Sequence, residues 1–121
     1  MRLPMFVLLV PAVLGVTACA TTSRAVPVPG VVIEVINAPV DQGPLTISVH
    51  PRYQSTQRVR LGDVLPGRRN TFTYDAPGVG TYLLRASPQV EGRAGLVAEL
   101  SILSDTEHVT WDLRSNSVQI R

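Results

Sequence analysis

Between residue 31 and residue 121, apolar and polar side chains alternate in short runs that predict β-strands. The clearest run extends from Leu45 to His50, where Leu45, Ile47 and Val49 take every second position and form one apolar face. No window keeps an apolar period of about 3.6 residues over three helical turns. This part of the chain is therefore predicted to be all-β.

Turn-forming residues bound these runs and set the expected architecture. Gly62 lies inside the third run and predicts a β-bulge or a close backbone approach. Pro66 and Gly67 take the central positions of a predicted type II turn. Seven or eight short strands in about 90 residues are typical of an antiparallel β-sandwich with Ig-like packing. The predicted strands cover residues 31–36, 45–50, 58–65, 71–74, 81–86, 96–103, 109–113 and 118–120.

The inward positions of these strands predict one hydrophobic core. A domain of this size buries roughly two-thirds of its unfolded surface, which is enough for a core without disulfides. Trp111, the only tryptophan, is expected to anchor it. The predicted core residues are Ile33, Val35, Ile47, Val49, Val59, Leu61, Leu84, Trp111, Leu113 and Ile120.

The start of the chain has a different pattern. Arg2 precedes an apolar run that ends near Ala18, which is short for a membrane span of about 20 residues and typical of a secretory signal peptide. The sequence Val16-Thr17-Ala18-Cys19 resembles the lipobox of bacterial lipoproteins. The resemblance implies a diacylglyceryl group on Cys19, cleavage before Cys19 and acylation of the new amine.

The residue after the cysteine bears on the destination of the protein. Ala20, rather than Asp, at this position implies by analogy with lipoprotein sorting that the protein is released to the outer membrane. The alternative is that ordinary signal peptidase cuts after Ala20 and releases a soluble secreted protein. The predicted organisation is a signal peptide over 1–18, lipidated Cys19 with a flexible, proline-containing linker over 19–30, and the β-sandwich over 31–121.

Composition narrows the class of protein further. The 121 residues suffice for one domain and exclude a multidomain enzyme. The single Cys excludes an intramolecular disulfide and a Cys-rich zinc site. All 11 basic residues are Arg, and 9 acidic residues leave a nearly balanced net charge of +2.

An aliphatic strand ends at Asn37, and Arg60-Leu61-Gly62-Asp63-Val64 follows in a later strand. Together these segments resemble a family of small bacterial secreted or lipoprotein β-sandwich proteins of uncharacterised function. Residues 83–88 and the tail from Val109 to Arg121 continue the similarity. The resemblance implies export and the sandwich fold, and it implies no activity or ligand.

Motifs that would indicate catalysis are missing from the sequence. His50 and His108 are the only histidines, stand in no metal-binding motif and are expected to be exposed structural residues. No serine lies in a G-x-S-x-G motif, and the nine carboxylates show no distinctive pair. We therefore expect no enzyme activity, no cofactor and no metal site.

The distinctive local feature is a group of arginines between residues 52 and 69. Arg58 and Arg60 share one side of a predicted strand, and Arg68 and Arg69 follow the predicted turn. These four residues form a predicted anion-binding group for lipid A phosphates, phospholipid heads or acidic polysaccharide, and nucleic acid is not expected in that compartment. The alternative is a solvated face whose charges discourage edge-to-edge strand pairing.

Two functions remain open at this point. The first is a non-catalytic accessory or interaction module, held to the membrane by its lipid, that binds an envelope protein or anionic lipid. The second is a small-ligand or glycan-binding sandwich that uses loop aromatics such as Tyr53 or Tyr82, by fold-level analogy with transthyretin-like and carbohydrate-binding modules. Buried Tyr82 and Trp111 rings would favour the first, because glycan binding needs exposed aromatic rings.

Overall fold

The computed structural model describes residues 26–39 and 43–121, and these residues form an all-β sandwich, which confirms the predicted fold class. One short 3-10 helix, Ser55–Gln57, is present in these ranges, and no helix there has the length and apolar character needed to cross a membrane. The predicted signal peptide and Cys19 lie outside the described residues. The strands are β1 Val28–Ile36, β2 Leu45–Pro51, β3 Val59–Val64, β4 Arg69–Ala76, β5 Gly80–Pro88, β6 Leu96–Ile102, β7 His108–Asp112 and β8 Ser117–Ile120.

The strands form two four-stranded sheets. The first sheet has the order β4-β1-β7-β8 and the second has the order β3-β2-β5-β6. Every pair is antiparallel except β1–β7, in which Val35 lies opposite Trp111. A parallel pair needs a long connection, which the five strands between β1 and β7 provide. The prediction of an antiparallel sandwich did not include this parallel pair.

The strand directions place the loops at two opposite ends of the sandwich. Val28, where β1 begins, lies opposite Ala76 at the close of β4, and Val32 pairs with His108 at the start of β7. We call this end the entry end, because the chain enters the domain there; it includes residues 52–58, 77–79 and 103–107. The opposite end, called the far end, includes residues 65–68, 89–95 and 113–116.

The core lies between the two sheets, and most of the predicted core residues are buried in it. Ile33, Val35, Ile47, Val49, Leu84, Trp111 and Leu113 are buried, and Leu61 packs partly buried against them. The prediction is wrong for Val59 and Ile120, which are 44% and 49% exposed. Val59 begins edge strand β3 and Ile120 ends edge strand β8, so no further strand covers either side chain.

The predicted bulge in β3 is present. Ile47 pairs with Gly62 and Ser48 with Arg60, so Leu61 is the extra residue. Gly62 has φ +153, and a Cβ added there would lie 2.6 Å from Cε1 of Phe72. This confirms the predicted close approach of the backbone and explains the glycine.

The predicted type II turn is also present. The amide N of Arg68 donates to the carbonyl O of Leu65 at 3.1 Å, and Gly67 has φ +72. This turn carries the chain from the second sheet to the first, so β3 and β4 lie in opposite layers.

The first strand begins earlier than the predicted domain boundary at residue 31. β1 starts at Val28, and the amide N of Gly30 donates to Oδ1 of Asp75 at 2.8 Å. The register of β1 against β4 shifts between Val28 and Val31. The segment between Cys19 and the sandwich is therefore shorter than the predicted linker.

Candidate anion-binding face

The outer surface of the second sheet carries a row of basic side chains. Ser48 on the central strand β2 lies opposite Arg60 of β3 on one side and Arg85 of β5 on the other. Ile47 and Val49 are fully buried, so the alternate residue Ser48 and its two partners face away from the core. Two interstrand spacings separate the Cα atoms of Arg60 and Arg85, which is about 9.5 Å. We call this outer surface, with Arg58, Arg60 and Arg85, the basic face.

A buried histidine positions Arg85. Nε of Arg85 donates to Nε2 of His50 at 3.0 Å, and Nδ1 of His50 lies 2.8 Å from the carbonyl O of Pro51. Since Nε2 accepts from the guanidinium, the ring proton is on Nδ1 and is donated to that carbonyl. Both ring nitrogens are therefore satisfied, and the imidazole fixes the direction of the Arg85 side chain.

The prediction that the histidines are exposed is wrong. His50 is 1% exposed and His108 is half-buried. His50 lies on central strand β2, between β3 and β5, and the 3-10 helix that follows the strand packs against β2. Neighbouring elements thus cover an outward-facing position that would be exposed on an isolated strand.

Arg85 differs from four other arginines in having no carboxylate partner among the described residues. Arg85 is half-buried, and its guanidinium forms no ion pair with a carboxylate of any described residue. A half-buried cation has lost part of its hydration, so an anion that binds to it restores the lost interaction. The ion-paired arginines are Arg52 with Glu99 at 3.1 Å, Arg60 with Asp63 at 2.8 Å, Arg69 with Glu34 at 3.0 Å and Arg114 with Asp112 at 2.8 Å.

Arg60 has a neutralising partner within its own strand. Asp63 accepts hydrogen bonds from the Thr46 hydroxyl at 3.0 Å and from Arg60 at 2.8 Å. These two bonds, with that of Thr46 the larger influence, hold the pKa of Asp63 below its usual value. Arg60 therefore adds less free positive charge to the basic face than its position alone suggests.

The structure separates the four arginines that the sequence predicts to act together. Exposed Arg58 precedes β3 and forms no ion pair with a described residue, and Arg60 lies in the same strand. Arg68 lies in the turn, and Arg69 faces outward from the first sheet, where it pairs with Glu34. The expectation that Arg68 and Arg69 could join Arg58 and Arg60 is wrong, because the turn moves the chain into the opposite layer.

A second surface feature lies at the entry end. A groove of about 340 Å³ is lined by Pro51, Arg52, Tyr53, Gln57, Val79 and Tyr82, among others. The Tyr53 side chain is 86% exposed, and the Arg52 guanidinium carbon lies 5.4 Å from its ring centroid. Nη1 of Arg52 also lies 3.1 Å from a carboxylate oxygen of Glu99, so the cation that contacts the Tyr53 ring is itself fixed.

The other two aromatic rings named from the sequence are buried. Tyr82 is 3% exposed and Trp111 is fully buried. The Tyr82 hydroxyl donates to the carbonyl O of Gly78 at 2.5 Å and accepts from the amide N of Gly78 at 3.2 Å. Tyr82 thus stabilises the loop between β4 and β5 and forms the floor of the groove.

Among residues 26–39 and 43–121, no group of three or more His, Cys, Asp or Glu side chains is arranged to hold a metal ion. Comparisons with protein-family models, curated protein sequences and solved structures find no match for this chain. The similarity to bacterial secreted β-sandwich proteins stays a prediction.

Proposed function

We propose that this protein is a lipid-anchored, non-catalytic interaction module of the bacterial outer membrane whose basic face binds an anionic partner of the cell envelope. The observation that supports this most directly is the half-buried residue Arg85, whose guanidinium is oriented by a buried histidine and neutralised by no described carboxylate. The lipid on Cys19 would keep the module at the membrane, and the basic face would select its partner.

The geometry of Arg85 suits an oxyanion. His50 occupies only the Nε donor, and the terminal amino groups form no hydrogen bond with a described residue. Those two groups can donate in parallel to two oxygens of a phosphate or carboxylate. Ser48 lies in the same row as Arg85 but is only 6% exposed, so Arg85 rather than Ser48 provides the donors at this point of the basic face.

Vesicle binding tests the basic face. Binding of the chain from Ala20 onward is measured on vesicles with and without phosphatidylglycerol or lipid A over a range of salt concentrations. We expect binding only to the anionic vesicles and a decrease as salt rises, because screening weakens contacts between exposed charges. Arg85→Gln should weaken this binding most, and the double change Arg58→Ser/Arg60→Ser should weaken it to a smaller extent.

The chain offers a closely matched control. Arg60 and Arg69 are 65% and 64% exposed, each has one carboxylate partner, and they lie on opposite faces of the sandwich. Arg60→Gln and Arg69→Gln therefore change the net charge equally. If Arg69→Gln reduces binding as much as Arg60→Gln does, net charge explains the result and the basic face has no special role.

Mass spectrometry of the mature N-terminus tests the anchor. We expect a diacylglyceryl-modified Cys19 as the first residue, and Cys19→Ser should accumulate as unprocessed precursor. An unmodified start at Thr21 would contradict lipid anchoring.

A small-ligand or glycan-binding function is the second candidate, and the exposed Tyr53 ring beside a groove favours it. An aromatic face with a nearby amide such as Gln57 is a suitable surface for a sugar ring. The buried Tyr82 and Trp111 rings leave Tyr53 as the ring for stacking among the three named from the sequence. Titration of envelope oligosaccharides, followed by the NMR shifts of the groove residues Gln57 and Val79, should show saturable binding that Tyr53→Ala removes.

A further inference from the structure

We infer that the entry end of the sandwich contacts the membrane surface to which the protein is anchored. This inference rests on the proposed lipidation of Cys19. The loops that carry Tyr53 and Val79 form this contact, with Arg58 beside them. The groove between these loops faces the lipid and is covered by it.

The short connection to the anchor supports this inference. Only nine residue steps join Cys19 to Val28, and a fully extended chain of that length spans about 30 Å at most. A domain of about 100 residues has a comparable diameter. The entry end is therefore held within one domain diameter of the bilayer, at a high local concentration.

The far end could contact the bilayer only if most of the extended length of the Cys19–Val28 segment were used to run back along the domain. β1 has nine residues, so its two ends are eight steps, or about 26 Å, apart. A chain that begins at the entry end would have to double back along the whole domain for the far end to reach the lipid. The topology therefore selects the entry end.

Exposed apolar groups at the entry end fit a lipid interface. Tyr53 is 86% exposed, Val79 is 59% exposed, and Val26, just before β1, is 75% exposed. Tyr is enriched at the level of lipid headgroups because its ring is apolar and its hydroxyl is polar. Contact with lipid would remove the exposed apolar groups of all three residues from water.

The distribution of charge selects one side of the entry end. Arg58 lies next to the groove-lining segment and forms no ion pair with a described residue, so it is available to lipid phosphates. Asp105 and Glu107 lie in the 103–107 turn, on the side of β6 and β7, and anionic headgroups would repel them. The domain is therefore expected to tilt so that the 52–58 and 77–79 loops lie nearest the bilayer.

A fluorescent probe tests this orientation in the lipidated protein reconstituted into vesicles. The thiol of lipidated Cys19 is blocked, so Val79→Cys provides a unique site for an environment-sensitive dye such as NBD. Val90→Cys at the far end is the matched control, since the two valines are 59% and 51% exposed. We expect the probe at 79, but not at 90, to shift to shorter wavelength and to be quenched by nitroxide-labelled lipid.

The possible outcomes distinguish this inference from the proposed function. If the protein floats with vesicles and the two probes behave alike, or the probe at 90 is quenched more, the inference is wrong and the lipid anchor stands. If the probe at 79 shifts only when envelope extract is added, a protein occupies the groove and the inference is also wrong. If unlabelled wild-type protein does not float with vesicles, lipidation fails and the inference fails with it.

Discussion

The fully buried indole of Trp111 provides the sharpest test of how the two sheets are held together. Trp111 lies on β7 opposite Val35 of β1 and packs in the cluster that fills the space between the sheets. Its Nε1 donates to Oδ1 of Asn116 at 2.9 Å. Trp111→Ala removes both the packing and this hydrogen bond.

The expected loss of stability comes mainly from packing. Replacing a buried Trp or Phe by Ala costs about 3–5 kcal/mol, and the cost rises with the size of the cavity left behind. The hydrogen bond adds less, because Asn116 is exposed and water can replace the indole donor. A domain of this size has a total stability of about 5–15 kcal/mol, so the variant should lose a large fraction of it.

A second variant separates the two contributions. Asn116 has φ +51, a left-handed conformation that glycine adopts without strain, so Asn116→Gly preserves the turn. It removes the hydrogen bond from Trp111 and also the exposed one from Nδ2 of Asn116 to the carbonyl O of Val97 at 3.3 Å. We expect it to cost about 1–3 kcal/mol, because the N–H of the fully buried indole loses its acceptor. Tyr53→Ala, at an 86% exposed ring, is the control and should change stability by less than about 0.5 kcal/mol.

Urea unfolding followed by far-UV circular dichroism measures these changes, because Trp111 is the only tryptophan and its loss removes the fluorescence signal. A decrease of 3–5 kcal/mol corresponds to a fall in the thermal midpoint of roughly 12–40 °C for a domain of this length. If Trp111→Ala stays within about 1 kcal/mol of the wild type, the indole does not hold the sheets together and the core assignment is refuted.

Three further predictions concern the close approach in β3 and the dependence of stability on pH. Gly62→Ala places a methyl group 2.6 Å from Cε1 of Phe72 at a φ of +153 and should cost about 1–3 kcal/mol; an unchanged thermal midpoint would contradict the close approach. The hydrogen bond from Arg114 is the main cause that lowers the pKa of Asp112 in the folded state. The ionised Asp112 therefore stabilises the fold fully above the unfolded pKa of about 3.9, and this stabilisation is lost as the pH falls through the lower folded-state pKa. In urea titrations at acidic pH, Asp112→Asn should lose less stability on acidification than the wild type, and parallel curves would refute this. Burial, reinforced by Tyr82, raises the pKa of Tyr74 to about 12. Because the unfolded phenol ionises near pH 10, stability should fall between about pH 10 and pH 12, and Tyr74→Phe should show a smaller fall in the same range.

The sequence predicts the sandwich well where the pattern is local. Leu45, Ile47 and Val49 alternate on a central strand, so each position that the pattern turns inward is also covered. The same pattern fails at Val59 and Ile120, because alternation gives the direction of a side chain and not the extent of the sheet around it. Which strands form the sheet edges depends on the pairing of distant segments, and the parallel β1–β7 pair has no local sequence signal.

For the candidate site too, the sequence predicts the features that depend on local pattern and misses those that depend on the pairing of distant segments. The outward direction of Arg60 follows from alternation within one strand, and so does that of Arg85. The contact between Arg85 and His50 joins residues 35 positions apart in the chain and depends on the register of β2 against β5. The separation of Arg69 from Arg60 depends on the layer to which the turn delivers β4, which the turn residues alone do not determine.

The two proposed surfaces lie at right angles to each other, and this has a consequence for the linker. The entry end closes the sandwich along the strand direction, and the outward side chains of the basic face stand perpendicular to its sheet. With the entry end on the bilayer, Arg60 and Arg85 of the basic face are turned sideways and stay open to an envelope partner, whereas Arg58 lies at the border of the two surfaces. An insertion of about 20 Gly and Ser residues between Cys19 and Val28 would lower the local concentration of the domain at the lipid surface. The probe at position 79 should then lose most of its lipid contact, and binding of a soluble phosphate-bearing ligand, such as a short-chain phosphatidylglycerol, through Arg85 should be unchanged. If the insertion weakens both contacts equally, the lipid and the partner share one surface, and the assignment of separate roles to the entry end and the basic face is wrong.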